Sequence, residues 1–407
     1  MNCRHCKSPL DTKFLDLGFA PPSNAYLNPE DLHAPELYFP LTLRVCERCW
    51  LVQTEDYARA DELFRHDYAY FSSVSRSWLN HAAHYAEMIT RKLGLDDHSF
   101  VIEVASNDGY LLKNFVAAGI PCLGIEPTAS TAEASERLGV PVLQEFFGER
   151  IAHQLSGSGK QADLVAGNNV YAHVPDINDF TAGVATVLKP EGVVTLEFPH
   201  LLQLLRHIQF DTVYHEHYSY LSLYSVCEIF ETSGLRIFDV EELSTHGGSL
   251  RIYGCLAGSS RKVQQRVSDI LAAEADYGMQ TLTPYLEFQG KADALKDRLL
   301  GYLLEQKRLN RKIAAYGAAA KGNTLLNYAG VKIDLLPCVF DAAPSKQGKF
   351  MPGSHIPILA PQDLSAGTFE TLLILPWNIA DELMDQVRHK AGFSGNFVTA
   401  IPELVIR

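Results

Sequence analysis

Two cysteine pairs constrain this chain more than any other feature: Cys3-x-x-Cys6 at its start and Cys46-x-x-Cys49 after an intervening stretch of 39 residues. A Cys-x-x-Cys knuckle puts both sulfurs on one side of a tight turn, and two such turns can close a tetrahedral zinc site. The loop is longer than in compact zinc ribbons. Unligated cysteines or a redox pair are the alternatives, but redox pairs usually follow a strand in a thioredoxin-like unit. Four sulfurs leave no position for water, so zinc here is expected to be structural. The other cysteines (Cys122, Cys227, Cys255, Cys338) are scattered through apolar segments. That usage fits small buried hydrophobes in a reducing, cytoplasmic compartment rather than a disulfide framework.

At 407 residues the chain has room for two or three domains. It is 47% hydrophobic and 20% charged, as expected of a folded chain with a large core. The net charge of −13 and the lack of a Lys/Arg cluster exclude nucleic acid as an expected partner. No apolar run is long enough to span a membrane, and no secretory signal is visible.

Three regions differ in character. Residues 1–66 are Pro-rich and carry the knuckles. Residues 67–295 alternate strand-like and helix-like stretches. Strands are expected at 99–105, 121–125, 141–143, 162–166 and 192–197, with a helix over 110–118. Such alternation predicts an α/β fold with a parallel-rich sheet covered on both faces. Residues 296–407 repeat the pattern on a smaller scale: a helix through Leu309, strands at 312–316, 336–340 and 371–375, and the segment Gly317-Ala-Ala-Ala-Lys321-Gly322-Asn323.

Ligands in such sheets bind at the carboxyl ends of the strands. The first strand ends in Glu103-Val-Ala-Ser106-Asn107-Asp108-Gly109, and the second ends at Glu126. Neither the dinucleotide fingerprint nor a P-loop lysine is present. Small residues in the turn let backbone approach a ligand, and an acid at Glu126 suits the ribose hydroxyls of an adenosine-containing cofactor. A packing turn with a surface glutamate explains the pair equally well.

The densest chemistry lies in Tyr214-His215-Glu216-His217-Tyr218-Ser219-Tyr220. Carbon methylation beside a ketone needs a base near neutral pKa, for which histidine is suited, and donors for the enolate oxygen. A partial metal site, a core polar network and a surface loop are the competing readings.

The segments EVASNDGYLL, GIEPT, GNNVYAHV and LEFPH, in this order, resemble a family of S-adenosylmethionine-dependent deoxysugar C-methyltransferases. The four-cysteine module and the GAAAKGN unit match as well, so the resemblance covers essentially the whole chain. It implies a zinc-binding N-terminal domain, a central Rossmann-like methyltransferase domain and a second, C-terminal Rossmann-like domain. It places Asn107, Asp108 and Gly109 at the methionine end of the cofactor, with Glu103 and Ser106 in the same turn. Glu126 would take the ribose, Glu145 and Phe146 the adenine, and Asn168 the amino group. His217 is the expected base; Tyr214 and His173 would polarise the enolate, and Glu216 would hold substrate or orient a histidine. His215 is expected to face away. Tyr68, in a segment that resembles one folding over the site, is a candidate contact.

For the substrate, Lys321 and Asn323 are expected beside a diphosphate, with His246 and Arg251 of His246-Gly-Gly-Ser-Leu-Arg251 on the facing wall. The expected acceptor is a nucleotide-diphospho 4-keto-6-deoxysugar, dTDP-linked, methylated alpha to the ketone, with position 3 favoured over 5. A small-molecule O- or N-methyltransferase and a non-catalytic zinc- and cofactor-binding scaffold are the alternatives. The expected state is a monomer or weak homodimer.

Overall fold

A computed structural model describes residues 1–55, 71–74, 76–364 and 369–407. The N-terminal segment forms strands β1 (Lys13–Ala20), β2 (Phe39–Val45) and β3 (Val52–Thr54), paired antiparallel in that order. The central region contributes β4 (Val101–Val104), β5 (Cys122–Ile125), β6 (Val142–Leu143), β7 (Ala162–Asn168) and β8 (Leu188–Pro199). Then come β9 (Ser219–Tyr220), β10 (Leu235–Leu243) and β11 (Ser249–Leu256). The C-terminal region adds β12 (Ile313–Tyr316), β13 (Val339–Phe340), β14 (Ile358–Leu359), β15 (Thr371–Ile374), β16 (Asn396–Thr399) and β17 (Val405–Ile406).

The central sheet runs β10-β11-β8-β7-β4-β5-β6, parallel from β8 to β6 and antiparallel at β11 and β10. Strand order reverses at β4, which pairs with β5 on one side and β7 on the other. That reversal opens a crevice at the carboxyl ends of β4 and β7. The C-terminal sheet runs β14-β13-β12-β15-β16-β17, and β12 reverses the order in the same way. The α/β architecture expected from the alternating pattern is therefore present twice. The antiparallel pair β10–β11 was not expected. The helix Phe288–Arg308 runs across residue 295, where a domain boundary was placed.

β9 belongs to neither large sheet. It pairs with β3 as the fourth strand of the N-terminal sheet, Val52 opposite Tyr220 and Gln53 opposite Ser219. The histidine-rich segment just before β9 is thereby tied to the cysteine-bearing module. Apolar packing repeats this arrangement. Cys3, Cys46, Cys49 and Leu51 share a buried cluster with Ile102, Leu196 and Leu221 of the central region. Phe14, Leu15, Leu41 and Leu43 share another with Leu325, Leu326 and Val339 of the C-terminal region. Burial at about 25 cal/mol per Å2 of apolar surface makes such shared cores the main force joining the three parts. No helix among the described residues is long and apolar enough to cross a membrane.

Candidate active site and zinc centre

The four cysteine sulfurs of the knuckles all lie within 4.8 Å of one another. Cys3 Sγ is 3.6 Å from Cys49 Sγ, and Cys6 Sγ is 3.5 Å from Cys46 Sγ. A tetrahedral centre with Zn–S bonds of about 2.3 Å separates its sulfurs by about 3.8 Å, so the set fits zinc. Each knuckle turns through a left-handed residue, Lys7 at φ 60° and Trp50 at φ 57°. Lys7 N–H donates back to Cys3 O and Trp50 N–H to Cys46 O. Hydrogen bonds from Cys46 and Cys49, with a further one from Gln53, draw the Cys3 thiol well below its usual range. All eight cysteines are free of disulfides.

The knuckle docks onto the central region. Arg4 donates to Pro175 O at 2.8 Å, and Asn178 Nδ2 donates to His5 O at 2.9 Å. Asn178 lies in the helix Ile177–Val187, whose N-terminus is capped by Asp176.

At the crevice, the turn after β4 uses positive φ at Ala105 (56°), Asn107 (49°) and Gly109 (77°). Gly109 is required twice over: its φ is left-handed, and a Cβ there would sit 2.7 Å from Ser135 Oγ. Glu126, directly after β5, accepts from Asn107 N–H at 3.0 Å and Thr128 N–H at 2.9 Å. Each of its oxygens keeps a lone pair for a ligand hydroxyl. Asn107 Oδ1 and Asp108 Oδ2 accept from the backbone N–H groups of Ser72 and Ser73, both at 3.0 Å. That segment thus covers the turn; Tyr68 lies outside the described residues.

Several buried polar atoms here lack a well-formed hydrogen bond among the described residues: both oxygens of Glu103, Ser106 Oγ, Asp108 Oδ1 and Asn168 Nδ2. Burial pushes the Glu103 carboxyl well above its usual range; the Tyr110 phenol opposes this, and the charges of Glu126 and Asp108 add to it. Buried polar groups are nearly always satisfied, so this concentration marks a place for a polar ligand. The cradle fits S-adenosylmethionine, whose amino-acid and ribose ends need acceptors and donors of this kind. Phe146 is 54% exposed after β6, and the neighbouring Glu145 pairs with Arg150.

The helix Arg76–Leu93 lies over this crevice. Its Trp78 stacks on Tyr110, with 5.9 Å between ring centroids, and on His81, at 4.9 Å. Beneath it, Glu197 Oε2 accepts from Arg251 at 2.7 Å, and His81 Nε2 lies 2.9 Å away. Arg251 also pairs with Glu241 and stacks over Tyr85. Its guanidinium, expected on a substrate wall, is therefore engaged inside the protein. Sequence reasoning missed Trp78, His81 and Glu197, which meet only after the chain has folded.

The second cluster centres on His217. Its ring lies 4.0 Å from Tyr214, 4.6 Å from His173 and 5.8 Å from Tyr220, centroid to centroid. His217 Nδ1–H donates to Thr212 O at 3.0 Å, which leaves the lone pair of the neutral ring on Nε2. His173 Nδ1–H donates likewise to Glu216 O at 2.8 Å. Burial, then the cationic forms of His173 and His246 and the Lys321 ammonium, hold His217 well below its usual pKa; a hydrogen bond to Thr212 opposes them. Burial likewise brings His173 and His246 down to about 4. All three rings are neutral near pH 7.

Two modules hold this cluster in place. Asn24 Nδ2 donates to both carboxylate oxygens of Glu216, at 2.8 and 2.9 Å. Thr54 Oγ1 donates to His217 O at 3.2 Å. Both residues lie in the N-terminal region, and neither carried a sequence signal. His215 points the other way, toward Pro40 O and the Phe39 ring, as its expected orientation requires.

From the C-terminal region, Lys321 Nζ donates to Asn378 Oδ1 at 2.7 Å and lies 4.6 Å above the Trp377 ring. Trp377 Nε1–H donates to Asp211 at 2.7 Å, and burial pushes that carboxyl up to about 6. Lys321 thus sits in the field of the histidine cluster. Asn323, expected beside a diphosphate, is buried and donates to Ser23 O at 2.5 Å. The glycines of the same loop answer to packing: a Cβ on Gly317 would meet Pro376 at 2.5 Å, and one on Gly322 would meet Leu375 at 2.8 Å. His246, at φ 54°, accepts from Asn169 Nδ2 at 3.0 Å and packs edge-on to Trp78. It stands between the cofactor crevice and the histidines.

Comparison with known proteins agrees with this three-part construction. A zinc binding domain model matches residues 3–64, a methyltransferase domain model 78–240, and a C-methyltransferase C-terminal domain model 244–402. The C-methyltransferase NovU of Streptomyces niveus is 33% identical over 401 residues, covering 98% of this chain and 95% of the relative. Among solved structures, the magnesium protoporphyrin IX methyltransferase of Synechocystis PCC 6803 with bound S-adenosylmethionine is 13% identical. That match covers 44% of this chain and 80% of the other, with a TM-score of 0.33. The glycopeptide N-methyltransferase MtfA with the same cofactor is 15% identical, covering 43% and 93%, with a TM-score of 0.34. The chain uses S-adenosylmethionine and a structural zinc, and it belongs to the C-methyltransferase family.

Proposed function

We propose that this enzyme methylates the carbon alpha to the ketone, at position 3, of a dTDP-linked 4-keto-6-deoxysugar. The observation that carries the reading is the fixed tautomer of His217: Nδ1–H bound to Thr212 O, and Nε2 left basic beside Tyr214 and His173.

S-adenosylmethionine supplies the methyl group when bound in the crevice. Glu126 takes its ribose hydroxyls, with Asn107, Asp108, Gly109, Glu103, Ser106 and Asn168 around the methionine end and Glu145 and Phe146 flanking the adenine. His217 Nε2 removes the proton from the substrate carbon, and the electron pair left behind delocalises onto the ketone oxygen. Charge on that oxygen is stabilised by the Tyr214 hydroxyl and the Lys321 ammonium, while His173, whose one N–H is given to Glu216 O, positions the segment. The Lys321 charge, which helps to hold the His217 pKa down, also favours an anion beside it. A base held this low stays unprotonated at neutral pH, and polarisation of the ketone offsets its weaker proton affinity. Glu216, clamped by Asn24, orients the segment. Arg251 and Asn323 act through packing.

In this reading residues 1–66, 67–295 and 296–407 form the zinc, methyltransferase and second Rossmann-like domains of a cytoplasmic enzyme. The test is mass spectrometry of products after incubation with S-adenosylmethionine and a panel of dTDP- and GDP-linked 4-keto-6-deoxysugars. Gain of one carbon-bound methyl on a dTDP-sugar is the expected result. Methylation only on oxygen or nitrogen would overturn it.

A further inference from the structure

In the loop between β10 and β11, three consecutive residues hold left-handed backbone: His246 at φ 54°, Gly247 at 90° and Gly248 at 115°. Such backbone costs a non-glycine residue free energy and persists only where the surroundings enforce it. Here they do so from three directions. Thr245 Oγ1 donates to Glu197 Oε1 at 2.9 Å. Gln209 Nε2 donates to Gly247 O at 2.8 Å. The Trp377 ring of the C-terminal region is so close that a Cβ on Gly247 would sit 2.4 Å from it.

What this loop fixes is the direction of the His246 ring. Asn169, directly after β7, gives its backbone N–H to Glu197 O at 2.7 Å and its Nδ2–H to His246 Nε2 at 3.0 Å. A neutral ring that accepts at Nε2 carries its proton on Nδ1. Burial keeps the ring neutral near pH 7. Nδ1 has no hydrogen-bond partner among the described residues, yet it is not sealed inside the protein, and His246 as a whole is half-buried. The ring stands edge-on to Trp78, 5.5 Å between centroids, and Trp78 stacks on Tyr110 over the cofactor crevice. On its other side the loop is held by Gln209, whose carbonyl accepts from Thr212 Oγ1 at 2.7 Å; Thr212 O in turn accepts from His217. The loop thus touches the roof of the crevice and the turn that orients His217.

We propose that His246 is a further catalytic residue, whose Nδ1–H donates a hydrogen bond to the ketone oxygen of the acceptor as the enolate forms. This rests on the reading that the acceptor reacts through an enolate. The carbon-bound proton goes to His217 Nε2, the C–H electron pair forms the carbon–carbon double bond, and the carbonyl pair moves onto oxygen. Nδ1 keeps its proton throughout. A neutral imidazole supplies this donor without placing a second positive charge beside the sulfonium of the cofactor. Because the ring is fixed before substrate arrives, no rearrangement is needed while charge develops on the oxygen.

The test compares three substitutions in the full-length, zinc-loaded enzyme, with S-adenosylmethionine and the sugar identified by the panel. An Asn amide puts an N–H near the place of Nδ1 and tolerates left-handed backbone. A Gln amide reaches the place of Nε2 and keeps the tie to Asn169 without the Nδ1 donor. His246→Asn should hold turnover within about tenfold of the unaltered enzyme, while His246→Gln and His246→Ala should each lose about 100-fold or more. S-adenosylmethionine affinity, by calorimetry, should stay within about twofold in all three. Full activity in His246→Gln, or an equal loss in all three variants, overturns the donor and leaves carbon methylation standing. Methylation of the panel only on oxygen or nitrogen overturns the enolate reading and the donor together.

Discussion

The cofactor crevice and the histidine cluster sit close together but are built in opposite ways. The crevice is made within the central region, from the turn between β4 and its helix, the acid after β5 and Asn168 at the end of β7. It keeps several buried polar atoms without a well-formed hydrogen bond among the described residues. The histidine cluster is assembled from three regions: Asn24 and Thr54 from the N-terminal module, His173 and His217 from the central one, Lys321 from the C-terminal one. Its key side chains are already bound, His217 and His173 by carbonyl oxygens and Glu216 by Asn24. A site made within one region depends less on contacts between regions. A site made by three depends on every contact between them, and on the zinc centre that shapes one of them.

The sharpest way to break this contrast is His217→Asn. Loss of a general base typically costs about 100-fold or more in turnover. S-adenosylmethionine affinity, measured by calorimetry, should be unchanged; near-normal turnover removes His217 as the base. Next in size is Asn24→Ala, which leaves the buried Glu216 carboxylate with fewer donors, a cost of about 1–3 kcal/mol. Expressed in the rate, that is roughly 5- to 160-fold. Turnover should fall in that range with cofactor binding again unaffected, and Asn24→Asp should be worse than Ala because it adds like charge. In the other direction, Glu126→Gln should raise the dissociation constant for S-adenosylmethionine several-fold and leave turnover at saturating cofactor nearly intact. A proportional loss in turnover would show that the two sites are not separable.

Acid should also discriminate between the regions. His173 and His246 have folded pKa values lowered to about 4, below the usual histidine value of 6.5. The unfolded chain therefore binds more protons between those values, and stability is lost as pH falls from about 6.5 toward about 4. Denaturant titrations at pH 7.5 and pH 5 should show this loss, and His246→Gln should reduce it. The same argument puts the acid limb of the rate profile below 6.5, because His217 stays neutral until the pH falls through its depressed value. This is the smallest expected effect, since two of the three rings are shared with structure.

Legibility in the sequence follows the same division. The crevice lies within short stretches, so the run before Glu103, the turn to Gly109 and the acid at 126 could be read directly. The strand expected at 99–105 forms as Val101–Val104, and that at 192–197 as part of Leu188–Pro199. The antiparallel strands Leu235–Leu243 and Ser249–Leu256 were missed, although both alternate apolar residues around a Gly-Gly turn. Asn24 was illegible because its partner lies 192 residues away. Arg251 and Lys321 carried the right charge, but charge alone does not say which buried partner claims it. Arg251 is claimed by Glu197, and Lys321 by Asn378 and the Trp377 ring. The Trp377-Asn378 pair after β15 was a missed signal, since polar and aromatic residues at a strand's carboxyl end in an open sheet are candidates for a site.

If the zinc-bearing module sets the histidine segment in place through the β3–β9 pairing, loss of the metal separates the histidine cluster from the cofactor crevice. The most direct measurement is a paired one on chelator-treated enzyme with zinc content followed: S-adenosylmethionine affinity, and turnover on the sugar identified by the panel. Removing the metal should leave the dissociation constant within about threefold and lower turnover about 100-fold or more, restored on adding zinc. Turnover that persists without zinc, or cofactor binding and turnover lost in parallel, would contradict it.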